Sequence, residues 1–363
     1  MIEEHRFPCT TCGADLRFEP GATTLECDHC GARQEFREPA PKGSIAELDF
    51  RKALRDELDT AEVEERRTLT CDSCGAHVEF DPNTHASECP FCATPVVTNT
   101  GTERQIKPRG VVPFAIDERA ARQAMTDWLG SLWFAPSGLQ AYARKGRSMT
   151  GVYAPYWTYD ADTKSTYSGE RGTIYYVTEQ VTVQRDGKTV TENRQVAKVR
   201  WTPARGRVAR FFDDVLVLGS ASLPKSYTDA LAPWDLTALE PYQPEFLAGF
   251  RAEAYTVDLD AGFDEARAIM DRTILRDVRF DIGGDKQRVH QVNTDVRDVT
   301  FKHILLPVWL AAYRYRGKSF RFVVNGQTGT VRGERPWSAW KIAGALVAAL
   351  IVAAAVGYFA AAQ

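Results

Sequence analysis

The sequence predicts three kinds of structure in one chain: two small zinc ribbons, an α+β, β-rich domain, and one C-terminal transmembrane helix. Eight cysteines in four Cys-x-x-Cys pairs predict the ribbons, and residues 342–362, which lack any charged side chain, predict the helix. Between them, alternating apolar and polar residues predict strands. With 363 residues and a formal net charge of −3, the chain has room for two or three domains.

The two ribbons are predicted over residues 1–38 and 68–100, each with a rubredoxin-like fold. In each, two Cys-x-x-Cys pairs are separated by fourteen residues, and the second pattern repeats the first at an offset of 62 positions. A hairpin between such pairs brings four sulfurs together around one metal ion, typically Zn²⁺ in a closed, structural site. The predicted ligands are Cys9, Cys12, Cys27 and Cys30 in the first site and Cys71, Cys74, Cys89 and Cys92 in the second. We therefore expect two Zn²⁺ ions per chain.

A helical linker is predicted between the ribbons, over residues 44–67. Ser44-Ile-Ala-Glu47 has the pattern of a capping box, and Phe50, Leu54 and Leu58 recur at helical spacing. We expect a helix of about twenty residues, with a narrow apolar stripe that packs on a ribbon or meets a partner helix.

The β-rich domain is predicted over residues 110–335. A strand at 111–114 and a helix at 117–132 precede a long run of strands with a hairpin turn at Asp186-Gly187. A second strand at 254–259, a helix from Asp264 and further strands follow the same order. Because Pro155-Tyr-Trp157 also resembles Pro307-Val-Trp309, we expect an internal duplication of residues 110–218 and 250–332.

The last predicted element is a membrane anchor over residues 337–363. At about 1.5 Å per residue, the uncharged run reaches about 31 Å, the thickness of the hydrocarbon core of a bilayer. Trp337 and Trp340 fit an interfacial belt, and Arg332, Arg335 and Lys341 on the same side predict that this side is cytoplasmic. No signal peptide begins at Met1. We therefore expect a tail-anchored, single-pass protein whose cysteines lie in a reducing compartment and bind metal rather than form disulfides.

Small residues on the anchor predict a possible contact with another transmembrane helix. Ala349, Ala353 and Gly357 recur every four positions, and such faces let helix backbones approach closely in lipid. Either a homo-oligomer or a hetero-oligomer could form through this helix. The alternative is that the small residues reflect only the alanine-rich composition.

The distribution of charge argues against nucleic acid as the partner of the ribbons. Residues 1–97 carry 20 acidic and 10 basic side chains, a net charge of −10, which leaves +7 for the remainder. Binding to nucleic acid rests on neutralisation of phosphates by Lys and Arg. Acidic ribbons are better suited to a basic protein surface.

No motif for catalysis is present, and we expect no enzymatic activity. Gly317-Lys318-Ser319 resembles the end of a phosphate loop, but Ala312 stands where that loop needs glycine. A hard-metal site is conceivable, but nothing sets its residues at ligand spacing, and solvated loops are the favoured interpretation. Its candidate ligands are Asp281, Asp285, His290 and His303, together with Asp213-Asp214.

At the level of whole motifs, the chain resembles the bacterial TFIIB-type zinc-ribbon membrane proteins called YdjG-like. Besides the ribbons, the resemblance rests on Pro155-Tyr-Trp157, Arg200-Trp-Thr-Pro-Ala-Arg-Gly-Arg-Val208, Asp281-Ile-Gly-Gly-Asp285, Leu306-Pro-Val-Trp309, Val324-Asn-Gly-Gln-Thr-Gly329 and Gly333-Glu-Arg-Pro-Trp337. Relatives often carry the name of the replication-restart helicase, primosomal protein N prime, but the ATPase motifs of a helicase are missing here. The resemblance implies a location in the bacterial inner membrane, with the N-terminal domains cytoplasmic. It also implies partners among SPFH/flotillin-like scaffolds and PspA-like proteins of the phage-shock envelope-stress response.

The leading hypothesis is a membrane-anchored adapter that recruits proteins through its ribbons and contacts membrane lipid through residues 342–362. The alternative is a zinc-ribbon protein that binds nucleic acid in replication or transcription. A third hypothesis is a membrane-proximal hydrolase with a site that no motif marks.

Overall fold

The computed structural model describes residues 7–35, 45–59, 62–79, 86–89, 91, 94–97, 100–136, 149–185, 188–315 and 318–361. The strands are β1 (Leu16–Phe18), β2 (Thr24–Cys27), β3 (Arg33–Glu35), β4 (Leu48–Asp49), β5 (Val63–Thr70), β6 (His77–Glu79), β7 (Ala86–Glu88), β8 (Pro95–Val97), β9 (Thr100–Ile106), β10 (Gly110–Val111), β11 (Thr150–Arg185), β12 (Lys188–Leu218), β13 (Glu240–Pro241), β14 (Arg251–Ala252), β15 (Lys286–Tyr315), β16 (Lys318–Asn325) and β17 (Val331–Gly333). The α-helices are α1 (Phe50–Leu54), α2 (Glu118–Ser131), α3 (Lys225–Thr228), α4 (Leu259–Ile282) and α5 (Ala339–Ala361).

A nine-stranded sheet forms the body of the protein. Its main path runs β12-β11-β15-β10-β13, while β4 and β16 also pair with β15, β14 pairs with β11, and β17 pairs with β16. The three longest strands, β11, β12 and β15, have 36, 31 and 30 residues, and the central strand β11 is antiparallel to both β12 and β15. Short strands thus gather at one end of the sheet, and the long strands extend from the other.

The outer part of the long strands is a two-stranded hairpin. β15 stops pairing with β11 at Gly172↔Lys286, whereas β11 and β12 continue for 13 residue pairs, from Thr173↔Arg200 to Arg185↔Lys188. At about 3.4 Å per residue these pairs extend about 44 Å beyond the three-stranded sheet. We call residues 173–185 and 188–200 the arm. The predicted turn at Asp186-Gly187 lies outside the described residues.

Helix α4 covers one face of the long strands. Its buried residues recur every four positions, which is the spacing of one helix face, and they pack beneath Trp157, Tyr159 and Phe212. These buried residues are Ala266, Met270, Ile274, Val278 and Ile282. The predicted helix at 117–132 is confirmed by α2, where the Asp117 side chain accepts a hydrogen bond from the N–H of Ala120.

The first ribbon, β1–β3, packs directly on the body. Phe18 is 1% exposed, and its ring lies 5.5 Å from that of Phe246 and 6.3 Å from that of Phe250. The backbone N–H of Phe18 donates to the carbonyl of Ala248 at 2.9 Å, and that of Gly21 donates to Phe114 at 2.8 Å. The ribbon is therefore built into the same core as the sheet.

The predicted helical linker over residues 44–67 is wrong. Helix α1 has only five residues, and residues 63–70 form β5, which pairs with β6 and β9. Leu48 pairs with Phe301 of β15, and the ring of Phe50 lies 4.6 Å from that of Phe263. Because an isolated helix this short is marginal in water, these contacts with the body decide the local structure. Ser44 lies outside the described residues.

Two further boundaries differ from the expectations. The predicted strand at 254–259 is wrong, since the strand before α4 is Arg251–Ala252 and α4 itself begins at Leu259. The C-terminal helix begins at Ala339, three residues before the uncharged run. Residues Ala339–Tyr358 are long and apolar enough to cross a membrane, with a mean hydropathy of 2.1 and 0% of the span buried.

Candidate metal centres

The four cysteines of the first ribbon converge on one point. The sulfurs of Cys9, Cys12, Cys27 and Cys30 all lie within 4.8 Å of one another. The Sγ atoms of Cys9 and Cys30 are 3.6 Å apart, and those of Cys12 and Cys27 are 3.5 Å apart. A tetrahedral Zn²⁺ with bonds of about 2.3 Å places its sulfurs about 3.8 Å apart. The cluster therefore fits a four-coordinate zinc ion.

Tight backbone turns place these sulfurs. The N–H of Gly13 donates to the carbonyl of Cys9 at 2.8 Å, and the N–H of Gly31 donates to that of Cys27 at 2.9 Å. Both glycines adopt a positive φ, of 77° and 71°, which is strained for residues with a side chain. The backbone N–H groups of Thr11 and Cys12 lower the pKa of the Cys9 thiol to about 6, which favours the thiolate that a metal binds.

Each pair in the first cluster has one buried and one exposed cysteine. Cys9 and Cys27 are buried in the core shared with Phe18 and Phe246, while Cys12 and Cys30 are exposed. A metal ion held here would lie between the core and the solvent. Its binding free energy would then stabilise the contact between the ribbon and the body as well as the ribbon itself.

The second cluster repeats this geometry as far as it is described. The sulfurs of Cys71, Cys74 and Cys89 lie within 4.8 Å of one another, with 3.6 Å between those of Cys74 and Cys89. The N–H of Gly75 donates to the carbonyl of Cys71 at 2.7 Å, again with a positive φ of 72°. The predicted fourth ligand, Cys92, lies outside the described residues. The three sulfurs fit three of the four positions of a tetrahedral site.

A buried carboxylate lies beside the second cluster. Glu253 is 1% exposed, and its Oε1 accepts hydrogen bonds from the hydroxyls of Ser220, at 2.5 Å, and Ser222. Burial, opposed by the hydrogen bonds from Ser220 and Ser222 and assisted by the charge of Cys89, raises the pKa of Glu253 to about 7. The neighbouring N–H of Ala254 donates to the carbonyl of His77 at 3.0 Å, so this segment attaches the second ribbon to the body.

A third group of acidic side chains surrounds a lysine rather than an open position. Asp160, Asp213 and Asp214 lie within 4.8 Å of one another, as ligands of a hard cation would. The ammonium of Lys302 lies 2.8 Å from Asp214 and 3.6 Å from Asp160, and it also lies 2.9 Å from Glu47. We call Glu47, Asp160, Asp214 and Lys302 the lysine network. Its ammonium already supplies the positive charge that a metal would bring.

The pKa values in the lysine network follow from burial and from a shared proton. Burial, with a hydrogen bond to Glu47, raises the pKa of Asp160 to about 7. The same hydrogen bond from Asp160 lowers the pKa of Glu47 to about 2. Burial alone would lower the pKa of Lys302, but Asp214 and Glu47 outweigh it and raise that pKa. Residues from β11, β12, β15 and the segment before β4 are thus held together by charge.

The other residues considered for a hard metal do not converge. Asp281 accepts a hydrogen bond from the hydroxyl of Tyr167 at 2.5 Å, and Asp285 accepts one from the N–H of Ile174 at 2.7 Å. His290 lies 3.7 Å from Glu170, and the Nδ1 of His303 lies 2.7 Å from the carbonyl of Ile106. Of the predicted set, only Asp213 and Asp214 belong to an acidic cluster among the described residues.

Comparison with known proteins gives one broad similarity. The chain is 26% identical over 338 residues to the Bacillus subtilis protein described as uncharacterized protein YdjG, with 93% of this chain and 92% of that protein covered. The resemblance to YdjG is therefore confirmed over nearly the whole length, while the TFIIB-type assignment stays a prediction. No family model matches the chain, and no solved structure matches it.

Two features of these centres were not predicted from the sequence. Glu253 lies 164 positions from Cys89, and Lys302 lies 255 positions from Glu47. No motif connects residues that are so far apart in the chain. The only local signal is a charged residue within an apolar strand, as in Phe301-Lys302-His303, where the pattern predicts a buried side chain that needs a partner.

Proposed function

We propose that the chain is a zinc-dependent, membrane-anchored adapter that recruits partner proteins at the cytoplasmic face of a bacterial inner membrane. The resemblance stated above supports SPFH/flotillin-like scaffolds and PspA-like envelope-stress proteins as the partners. The two cysteine clusters and the apolar helix α5 support the metal-binding and membrane-anchoring parts of the proposal.

The observation that carries the proposal is the arm. Its two strands extend without a third strand from the described part of the sheet, and no packing within the body requires this extension. The anchor attaches near the opposite end of the long strands. It follows β17, which pairs with β16, and Val324 of β16 pairs with Trp309 of β15. Trp309 pairs in turn with Gly151, at the start of β11. The arm begins 22 residues farther along β11, up to about 75 Å away. A projecting hairpin of this kind suits contact with another macromolecule.

Charge divides the protein into two recognition surfaces. Residues 188–212 of β12 carry seven basic side chains and one acidic side chain, whereas residues 1–97 have a net charge of −10. Arg194, Arg205 and Arg207 are exposed. β12 is also an edge strand of the sheet, and such an edge can pair with a strand from another protein. The arm and its base therefore suit an acidic partner, and the ribbons suit a basic one.

Capture of partners from membranes tests the adapter. Full-length tagged chain is crosslinked in cells, solubilised in detergent and purified, and bound SPFH-type and PspA-like proteins are quantified. The variant Arg194→Glu/Arg205→Glu/Arg207→Glu changes one arginine of the arm and two of its base, and we call it the arm variant. It should lose a partner that the natural chain captures, because complementary charge becomes repulsive. Capture of neither protein by the natural chain would overturn the proposal.

A matched control uses the solvent face of α4. Arg272, Arg276 and Arg279 are exposed, and their triple change to Glu alters the net charge by the same amount. This control should keep the partners. If the arm variant and the α4 variant both retain the same partners, the basic surface of the arm and its base is not the recruiting surface.

The basic strand also favours a second candidate function, in which the arm binds nucleic acid. The exposed ring of Tyr176 lies on the arm, where Tyr176 pairs with Ala197 of β12, and such a ring can stack on a base. Binding of single-stranded oligonucleotides by the natural chain at physiological salt, lost in the arm variant, would favour this function over the adapter. The hydrolase hypothesis gains no support from the cysteine clusters or from the lysine network.

We also infer that the body arose by the predicted duplication. The order of short strand, helix, long strand and strand occurs in β10-α2-β11-β12 and again in β14-α4-β15-β16. β10 pairs in parallel with β15, and β14 pairs in parallel with β11. Pro155 pairs with Leu305, and its counterpart Pro307 pairs with Tyr153. Reciprocal pairing of equivalent residues supports two related units.

A further inference from the structure

Three exposed tryptophans surround the start of the C-terminal helix. Trp337 is 58% exposed and Trp340 is 89% exposed, and both belong to the anchor segment. The third, Trp133, is 79% exposed and comes from the turn that follows α2, more than 200 positions earlier in the chain. A tryptophan is rarely left this open to water unless its surface meets a partner or a membrane.

The turn that carries Trp133 is fixed to the first turn of the anchor. The backbone N–H of Ser338 donates to the carbonyl of Phe134 at 2.8 Å, and the ammonium of Lys341 donates to the carbonyl of Ala135 at 2.8 Å. The rings of Phe134 and Trp337 lie 6.4 Å apart. Trp133 is therefore held at the level where the helix leaves the body.

Helix α2 packs against the body without using Trp133. Ala121, Met125 and Leu129 of this helix are buried, and Trp128 packs edge-to-face on Phe322 at 5.5 Å. The helix therefore has a complete apolar face against the body without Trp133. The indole of Trp133 points away from that core because the chain turns directly after Ser131.

We propose that residues 132–136, with Trp133 at their tip, form a membrane-docking turn that inserts into the interfacial region of the bilayer that α5 enters. The inference rests on the proposed function, since it requires α5 to span the membrane. Tryptophan favours the boundary between headgroups and acyl chains because its ring is apolar and its N–H is polar. Two cations lie beside the turn and suit anionic headgroups. They are Lys341, which donates to the carbonyl of Ala135, and Arg335, whose guanidinium lies 4.3 Å from the centre of the Trp337 ring.

The docking turn adds a second point of contact with the membrane. A single helix with an exposed start would allow the body to swivel about its axis. A turn bound by two hydrogen bonds to that start, and inserted beside it, fixes which side of the body faces the lipid. The direction of the arm relative to the bilayer then follows from the fold.

Hydroxyl-radical footprinting of the full-length chain in phosphatidylethanolamine/phosphatidylglycerol vesicles tests the proposal. Tyr176 and Phe211, which are 68% and 61% exposed and lie on the long strands, serve as internal references for solvent-facing aromatics. We expect oxidation of Trp133 to be lost together with that of Trp340, while both references stay reactive. Oxidation of Trp133 at the rate of an open tryptophan, with Trp340 protected, would overturn the docking turn alone.

The same experiment separates this inference from the anchor on which it rests. If Trp340 is also oxidised and alkaline washing strips the chain from the vesicles, the anchor proposal fails as well. A second measurement uses brominated lipids, which quench nearby tryptophan fluorescence. Trp133→Phe should remove part of the quenched signal, whereas the matched change Trp201→Phe in β12 should not. Equal quenching of both variants would contradict the proposal.

Discussion

The attachment of the first ribbon to the body can be tested with Phe18→Ala. Phe18 is 1% exposed, supplies no sulfur to the cysteine cluster, and its ring lies 5.5 Å from that of Phe246 and 6.3 Å from that of Phe250. Replacement of a buried Phe by Ala costs about 3–5 kcal/mol, through lost burial and the cavity that remains. A whole domain is stable by only about 5–15 kcal/mol. The change should therefore free the ribbon from the body without touching a sulfur.

Native-state proteolysis measures this effect in the zinc-loaded, detergent-solubilised chain. Because every 1.4 kcal/mol is a factor of ten, a loss of about 3–5 kcal/mol raises the open population of the ribbon by about 10²- to 10⁴-fold. Tryptic cleavage at Arg17 and Arg33 should accelerate accordingly, while the zinc content stays unchanged. Glu35→Ala, at an exposed position on β3 of the same ribbon, is the control.

Two results would refute this reasoning. Cleavage of Phe18→Ala at the rate of Glu35→Ala would mean that the ribbon is an independent module and not part of the core. Loss of one zinc ion from Phe18→Ala would mean that the substitution acts through the metal site.

Four other predictions concern the metal, the anchor and the lysine network. Cys12→Ser should lower the zinc content of the full chain from two ions to one, because the two sites share no ligand; elemental analysis of native material showing iron, or no metal, would contradict it. The intact protein should stay in the membrane fraction after washing with alkaline carbonate, whereas deletion of residues 337–363 should release the chain from membranes. Lys302→Met should cost about 3–5 kcal/mol of stability in denaturant unfolding, since it leaves the buried Asp160 and the half-buried Asp214 without their cation, whereas Lys164→Met at an exposed position should change little. The pKa of Asp160 is about 7 in the folded chain and about 3.9 when unfolded, so the folded state holds a proton that the unfolded state releases. The natural chain should therefore lose stability as the pH rises, and Asp160→Asn should make that loss smaller. That stabilisation is complete below the unfolded pKa and is lost as the pH rises through 7, and an unchanged pH profile in Asp160→Asn would contradict the assignment.

Spacing in the sequence was sufficient wherever the chemistry is local. A Cys-x-x-Cys-Gly turn places two sulfurs on one side of a metal by backbone geometry alone, and the structure brings Cys9, Cys12, Cys27 and Cys30 together as predicted. The apolar C-terminal helix and α2 are predictable for the same reason, because 3.6-residue periodicity and the cap at Asp117 act within a few residues.

Tertiary contacts decided what local patterns could not. The segment around Phe50 has the spacing of a helix, yet its contacts with Phe263 and β15 leave only five helical residues. The domain bounds predicted from the sequence also do not show how the ribbon and the β-rich domain pack, whereas in the structure Phe18 packs with Phe246 in one core. Burial of an aromatic ring contributes more free energy than the helix propensity of a short segment.

By itself, then, the sequence determined the cysteine clusters, the apolar helix and the strand-rich character of the chain, since each depends on residues close together in the chain. The tertiary structure alone decided that the ribbons share the core of the body, that Lys302 joins carboxylates from three distant segments, and that Trp133 lies beside the start of the anchor. These contacts join residues separated by 88 to 255 positions. Packing and ion pairing across such separations depend on how the whole sheet folds, and no local pattern encodes them.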